Sequence, residues 1–181
     1  MTTLPEGPVQ EVAKRLLGAR LRTEFAGLAT EVILTEVEAY GGVDDPASHA
    51  SRGVNARNRA MFGPAGTLYV YRSYGVHWCA NVVTGAVGMG EAVLLRAGLP
   101  TEGEETMRRR RGRRDHLCDG PGKLCQALGI TGSQDGTSLF EGPVRLRLPA
   151  VPPPQTVLAT SRVGISREKE RPWRFTVIEF S

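Results

Sequence analysis

A chain of 181 residues, 40% hydrophobic and 23% charged, is long enough for one well-filled domain and short for two. No apolar run approaches the roughly 20 residues needed to span a bilayer, and the opening MTTLPEGPVQEVAKRL lacks a signal-peptide apolar core. A net charge of +4 suits a polyanionic partner without requiring one, and the three cysteines, Cys79, Cys118 and Cys125, exclude a fully paired disulfide framework. Cys118 and Cys125 are spaced too widely for a short metal-binding pair, and no histidine set nearby completes one.

In chain order, Val9, Val12, Ala13, Leu16 and Leu17 recur at helical spacing, with Pro8 opening that helix and Gly18 following it as a cap. Residues 29–40 read as a strand rich in β-branched residues, with Val32, Leu34, Glu36, Glu38 and Tyr40 on one face. The loop GGVDDPASHASRG carries turn chemistry, and a short helical turn follows near residues 58–61. Residues 67–73 and 76–83 read as two strands joined at Tyr74 and Gly75, and a Gly-rich turn at 85–90 leads to an apolar strand at 92–96. Short connections between neighbouring strands imply antiparallel pairing. Beyond Pro100 comes an acidic and then arginine-rich segment, and PGKLCQAL forms a short helix ended by Gly129. Val144, Leu146 and Leu148 alternate with Arg145 and Arg147 as a strand with one wet face. The prolines at 152–154 make a stiff connector, and Trp173, Phe175 and Val177 alternate in a final strand. The pattern is that of one mixed α/β domain, in the α+β sense, with a mostly antiparallel sheet.

Several residues in these elements could carry chemistry. Glu36 and Glu38, two apart in a strand, share a face with Tyr40. Facing inward they would form a buried carboxylate site, and facing outward they would mark an edge strand in solvent. Tyr69, Tyr71 and Tyr74 crowd one hairpin. In a basic protein such rings suit base stacking, worth roughly 1–3 kcal/mol per base, or simple cross-strand packing. A ring at the hairpin tip could also wedge between base pairs. Asn81 and Arg96 interrupt otherwise apolar strands, and His49 lies alone in its loop. The run of Arg108, Arg109, Arg110, Arg111, Arg113 and Arg114 reads either as a phosphate contact or as a solvated loop. Together these features support a nucleic-acid-binding domain with a carboxylate-centred hydrolytic site. They do not choose a reaction.

At TEVEAYGGVDDPASHASRG the chain resembles the 3-methyladenine (alkyladenine) DNA glycosylase family. The resemblance continues through RNRAMFGPAGTLYVYRSYGVHWCANVV, EAVLLRAG, LCDGPGKLCQALGI and SRVGIS, in the family's order over nearly the whole chain. It implies a single domain over residues 1–181, a curved, barrel-like antiparallel sheet flanked by short helices, and a protruding hairpin that inserts into DNA. The implied activity is a monofunctional glycosylase that flips alkylated or deaminated purines out of duplex DNA and hydrolyses the N-glycosidic bond. No cofactor or metal is implied, and no lysine in these motifs is placed for Schiff-base lyase chemistry.

The resemblance assigns roles residue by residue. Glu38 is the general base that activates water, and Arg96 and the carbonyl of Val163 help to hold that water. Tyr40 and His49 stand on one side of the flipped base and Tyr71 on the other. Tyr74 fills the vacated place in the stack, and Asn81 at the pocket floor disfavours guanine. Glu36 has no assigned role, and the arginine-rich stretch after Glu105 departs from the family's pattern. The implied setting is a monomer in the cytoplasm, on the nucleoid in a bacterium, with damaged double-stranded DNA as partner and no membrane. The alternative is a non-catalytic module binding damaged DNA or RNA on the same fold, against which Glu38 and Arg96 argue, since binding alone needs no water-holding pair.

Overall fold

The computed structural model describes residues 3–149 and 155–180, so the proline connector at 152–154 lies outside the described residues. Helix α1 (Val9–Leu16) turns Val9, Val12, Ala13 and Leu16 inward, and Gly18 beyond it takes φ +81°, a conformation that glycine adopts without strain. Strands β1 (Arg20–Phe25) and β2 (Leu28–Gly41) follow as a hairpin. Three short 3₁₀ turns at Gly42–Asp44, His49–Arg52 and Arg59–Phe62 organise the long loop after β2. Then come β3 (Leu68–Ser73), β4 (His77–Val83), β5 (Glu91–Glu102), helices α2 (Glu104–Arg111) and α3 (Pro121–Leu128), and β6 (Val144–Arg147), β7 (Gln155–Thr160) and β8 (Arg174–Phe180).

The strands form one sheet in the order β3-β4-β5-β2-β1-β6, with β8 also pairing β2 and β7 pairing β8. Every pairing among the described strands is antiparallel, and the sheet curls into a half-barrel flanked by the three helices, an α+β fold. Strand β2 is the pivot. One side runs along β5, while the other is shared between β1 at residues 28–33 and β8 at residues 36–38.

Where the sheet divides, the β2–β5 ladder is irregular. Its register shifts between Leu34 and Glu36 and again between Glu36 and Val37, which leaves Thr35 on β2 and Arg96 on β5 unpaired. A bulge reverses the alternation of side chains beyond it. The core therefore takes Val32 and Leu34 before the bulge but Val37 and Ala39 after it. This corrects the single face expected for positions 32 to 40, because Glu36, Glu38 and Tyr40 leave the side that Val32 and Leu34 occupy.

The main core gathers Leu16, Leu21, Leu34, Leu95, Leu124 and Leu128 between the helices and the sheet. A smaller cluster of Ala50, Met61, Tyr69, Val83 and Ala92 sits under the 3₁₀ turns and supports the loop that carries His49. Strands β1 and β7 and helix α2 are additions to the elements expected from the sequence, and β5 runs six residues past the expected end at Arg96. No described helix is long and apolar enough to cross a membrane.

Candidate active site

A cleft of about 880 Å³ opens beside the β3–β4 hairpin. Tyr40, His49, Tyr71, Tyr74, Asn81, Arg96 and Val163 all line it, so seven of the eight residues singled out by sequence meet at one place. The eighth, Glu38, is fully buried next to it. Both oxygens of Glu38 are held by residues of the cleft wall. Oε1 accepts the Val163 N–H at 2.7 Å and lies 3.4 Å from Arg96 Nη1, while Oε2 accepts the Tyr40 hydroxyl at 2.9 Å. A carboxylate offers about four acceptor positions. Three neighbours leave room for one more donor, such as a water.

The Tyr40 hydroxyl is pushed well above its ordinary pKa, first by burial and then by the adjacent Glu38, so it stays protonated and keeps donating. The Val163 backbone N–H faces Glu38. The sequence had pointed only to its carbonyl.

The aromatic wall comes from two elements. The His49 and Tyr71 rings meet edge to face at 4.5 Å and form a corner. His49 Nδ1 lies 3.0 Å from the Tyr69 hydroxyl, which fixes the ring from behind. Burial first, and then the charge of Arg57, hold the His49 pKa below its usual value. Asn81 is buried on β4, and its Nδ2 donates to the Tyr69 carbonyl at 3.1 Å. Cys79, also at the cleft, is a buried free thiol whose pKa burial raises, so it is not a ready nucleophile.

Tyr74 projects from the hairpin with 91% of its surface exposed and φ +49°. A non-glycine residue at positive φ is uncommon, so the Tyr74 ring is held out at the hairpin tip by an unusual backbone conformation. Four exposed arginines, Arg52, Arg57, Arg72 and Arg167, surround the same cleft. By contrast none of the arginines from 108 to 114 lines it. Arg108 pairs with Glu104 at 2.8 Å, Arg110 donates to the Ala127 carbonyl at 3.0 Å, and Arg111 donates to Gln126, so part of that run fastens α2 to its own acidic turn and to α3.

Several structural partners escaped sequence reasoning. Arg162 and Asp45 form a buried ion pair below Tyr40, and Arg174 joins Arg96 on Glu36. Asp45 and Arg162 lie 117 residues apart with nothing in either segment to pair them. Glu36 did carry a signal, its two-residue spacing from Glu38. Among the described residues no three His, Cys, Asp or Glu side chains converge as metal ligands.

Residues 3–180 match the family described as methylpurine-DNA glycosylase (MPG). A protein of Methanoculleus marisnigri, provisionally named 3-methyladenine DNA glycosylase, is 53% identical over 169 residues, covering 91% of this chain and 87% of its own. One of Agrobacterium fabrum with the same provisional name is 53% identical over 167 residues, covering 91% and 81%. A third, from Mycolicibacterium paratuberculosis, is 47% identical over 174 residues, covering 91% and 82%. Fold, site and these likenesses define an enzyme of the DNA glycosylase class, a hydrolase of N-glycosyl bonds. Within that class, the chain belongs to the methylpurine-DNA glycosylase family.

Proposed function

We propose that this protein, acting as a single chain, draws an alkylated or deaminated purine out of duplex DNA into the cleft and hydrolyses its N-glycosidic bond with a water activated by Glu38. The observation that supports this most directly is a fully buried carboxylate whose oxygens are oriented by Val163, Arg96 and Tyr40 beside an aromatic cleft. Extruding a base costs a few kcal/mol, and least for a damaged, poorly paired one. The exposed Tyr74 ring would occupy the vacated place in the stack, and the four rim arginines would meet the phosphates.

In the cleft, the faces of Tyr40, Tyr71 and His49 favour an electron-poor purine. A purine alkylated to carry positive charge takes the electrons of the C1′–N bond and leaves neutral, whereas a neutral deaminated purine must take up a proton as it leaves. Water then forms the new C1′–O bond, and its proton passes to Glu38, the base role of an inverting glycosidase. Asn81, whose Nδ2 donates to the Tyr69 carbonyl, would disfavour an undamaged guanine by crowding its exocyclic amine.

Single-turnover excision tests the reading. Wild type and Glu38→Gln would each be incubated with a hypoxanthine duplex and with alkylated genomic DNA, and released bases scored. Wild type should release base, and Glu38→Gln should bind the lesion duplex yet lose excision by orders of magnitude. Near-normal turnover by Glu38→Gln removes Glu38 from the base role. Intact duplex binding without release by wild type points to a binding module instead.

A further inference from the structure

We infer that Glu36 is a positioning residue for the reaction, one that takes the strong contact of Arg96 onto itself and so leaves Glu38 open to water; this rests on the reading of Glu38 as the base. Glu36 is absent from the cleft wall and meets the cleft lining through Arg96. Its Oε1 accepts Arg96 Nε–H at 2.7 Å and Arg174 Nε–H at 2.8 Å. The other side of the same Arg96 guanidinium, Nη1, stands 3.4 Å from Glu38 Oε1.

The two distances differ in a telling way. Charge-assisted N–H···O contacts run at roughly 2.7–2.9 Å. Arg96 therefore makes a full hydrogen bond to Glu36 and only a long contact to Glu38. A guanidinium is a rigid plane of five donors, so fixing Nε fixes where both Nη groups point. Without Glu36, the same guanidinium could turn its fork onto Glu38. A bidentate arginine there would use the acceptor position that the attacking water needs.

The sheet is built around this arrangement. The register shift on either side of Glu36 leaves Arg96 unpaired on β5, which lets its side chain lie between the two carboxylates. Strand β8 pairs with β2 only across residues 36–38 and brings Arg174 to the far side of Glu36. Burial alone would raise the Glu36 pKa, but the hydrogen bonds from Arg174 and Arg96 outweigh it and hold the carboxyl below its usual range. Glu36 thus remains an anion and keeps its grip on Arg96.

The test is single-turnover excision from alkylated DNA together with lesion-duplex affinity, for wild type, Glu36→Ala, Arg96→Ala and the double variant. Glu36→Ala should lower the excision constant at saturating enzyme by about tenfold or more while affinity changes by less than about twofold. In the Arg96→Ala background the same substitution should have no effect, because Glu36 acts only through Arg96. If Glu36→Ala does not fold, Glu36→Gln keeps the shape and is judged in the same way, with a loss of about threefold beside intact Arg96 and none without it. An unchanged excision constant in a folded Glu36 variant overturns the inference. So does an equal loss with and without Arg96, which would make Glu36 a mere fold staple. Wild type releasing no base would overturn the reading of Glu38, and this inference with it.

Discussion

Arg162 and Asp45 meet as a bidentate pair, Nη1 to Oδ2 at 2.5 Å and Nη2 to Oδ1 at 3.0 Å, with neither side chain reaching solvent. The pair ties the loop that carries Val163 to the loop that carries His49. Arg162 also donates to the Ala39 carbonyl at 3.0 Å and lies 4.8 Å from the centre of the Tyr40 ring. It therefore supports Tyr40 from one side while its chain neighbour Val163 holds Glu38.

Removing one member of this pair should be costly, because the other is left as an unpaired buried charge. Asp45→Asn or Arg162→Ala should each lower stability by roughly 3–5 kcal/mol in urea unfolding. Replacing both with apolar residues should recover much of that loss, since the penalty lies in the orphaned charge rather than in the missing attraction. A single-variant loss below about 1 kcal/mol would show that water reaches the pair.

His49, at the cleft wall, makes a pH prediction. Burial and Arg57 depress its folded pKa below the unfolded value of about 6.5. Between those two values the unfolded chain binds a proton that the fold does not, so stability falls as pH drops through about 6.5. The loss is complete below the folded pKa. His49→Gln should flatten this part of the profile when unfolding midpoints are compared between about pH 7.5 and 5. An identical slope in both proteins would place the titrating group elsewhere.

Tyr74→Ala should separate stability from DNA affinity. The ring is 91% exposed, so its loss should shift stability by less than about 0.5 kcal/mol. Lesion-duplex binding should weaken by about 1–3 kcal/mol, the usual worth of an aromatic–base stack. Matched losses in both measurements would make Tyr74 a packing residue instead.

The sequence carried much of this site but not how it is held together. The β3–β4 hairpin, α1 and α3 were legible because apolar spacing, Pro8, Pro121 and Gly129 all agree locally. Strand β1, RLRTEF, was not, since its polar side chains hide a ladder between β2 and β6 that only tertiary pairing creates. Helix α2, EETMRRRR, buries little beyond Thr106 and Met107 and is fastened largely by arginine bonds to α3, so apolar periodicity gives no sign of it. The direction of Glu38 was hidden for a sharper reason. Side-chain alternation along β2 breaks at Thr35, and a bulge leaves no mark in residue type. The partners Asp45 and Arg162 depend on a contact between residues 117 positions apart, which no local pattern encodes.

Two basic surfaces compete for the phosphates, and salt dependence tells them apart. Arg52, Arg57, Arg72 and Arg167 surround the cleft beside Tyr74, and none of them is in an ion pair among the described residues. Arg113 and Arg114 instead line a shallow recess with α2 residues, outside that cleft. Each phosphate contact contributes about 0.9 to the slope of log K against log salt. Replacing any one rim arginine by alanine should lower the slope for duplex binding by about that amount, whether or not a lesion is present. Arg113→Ala and Arg114→Ala should leave the slope unchanged. The reverse result would move the DNA path to the α2 side.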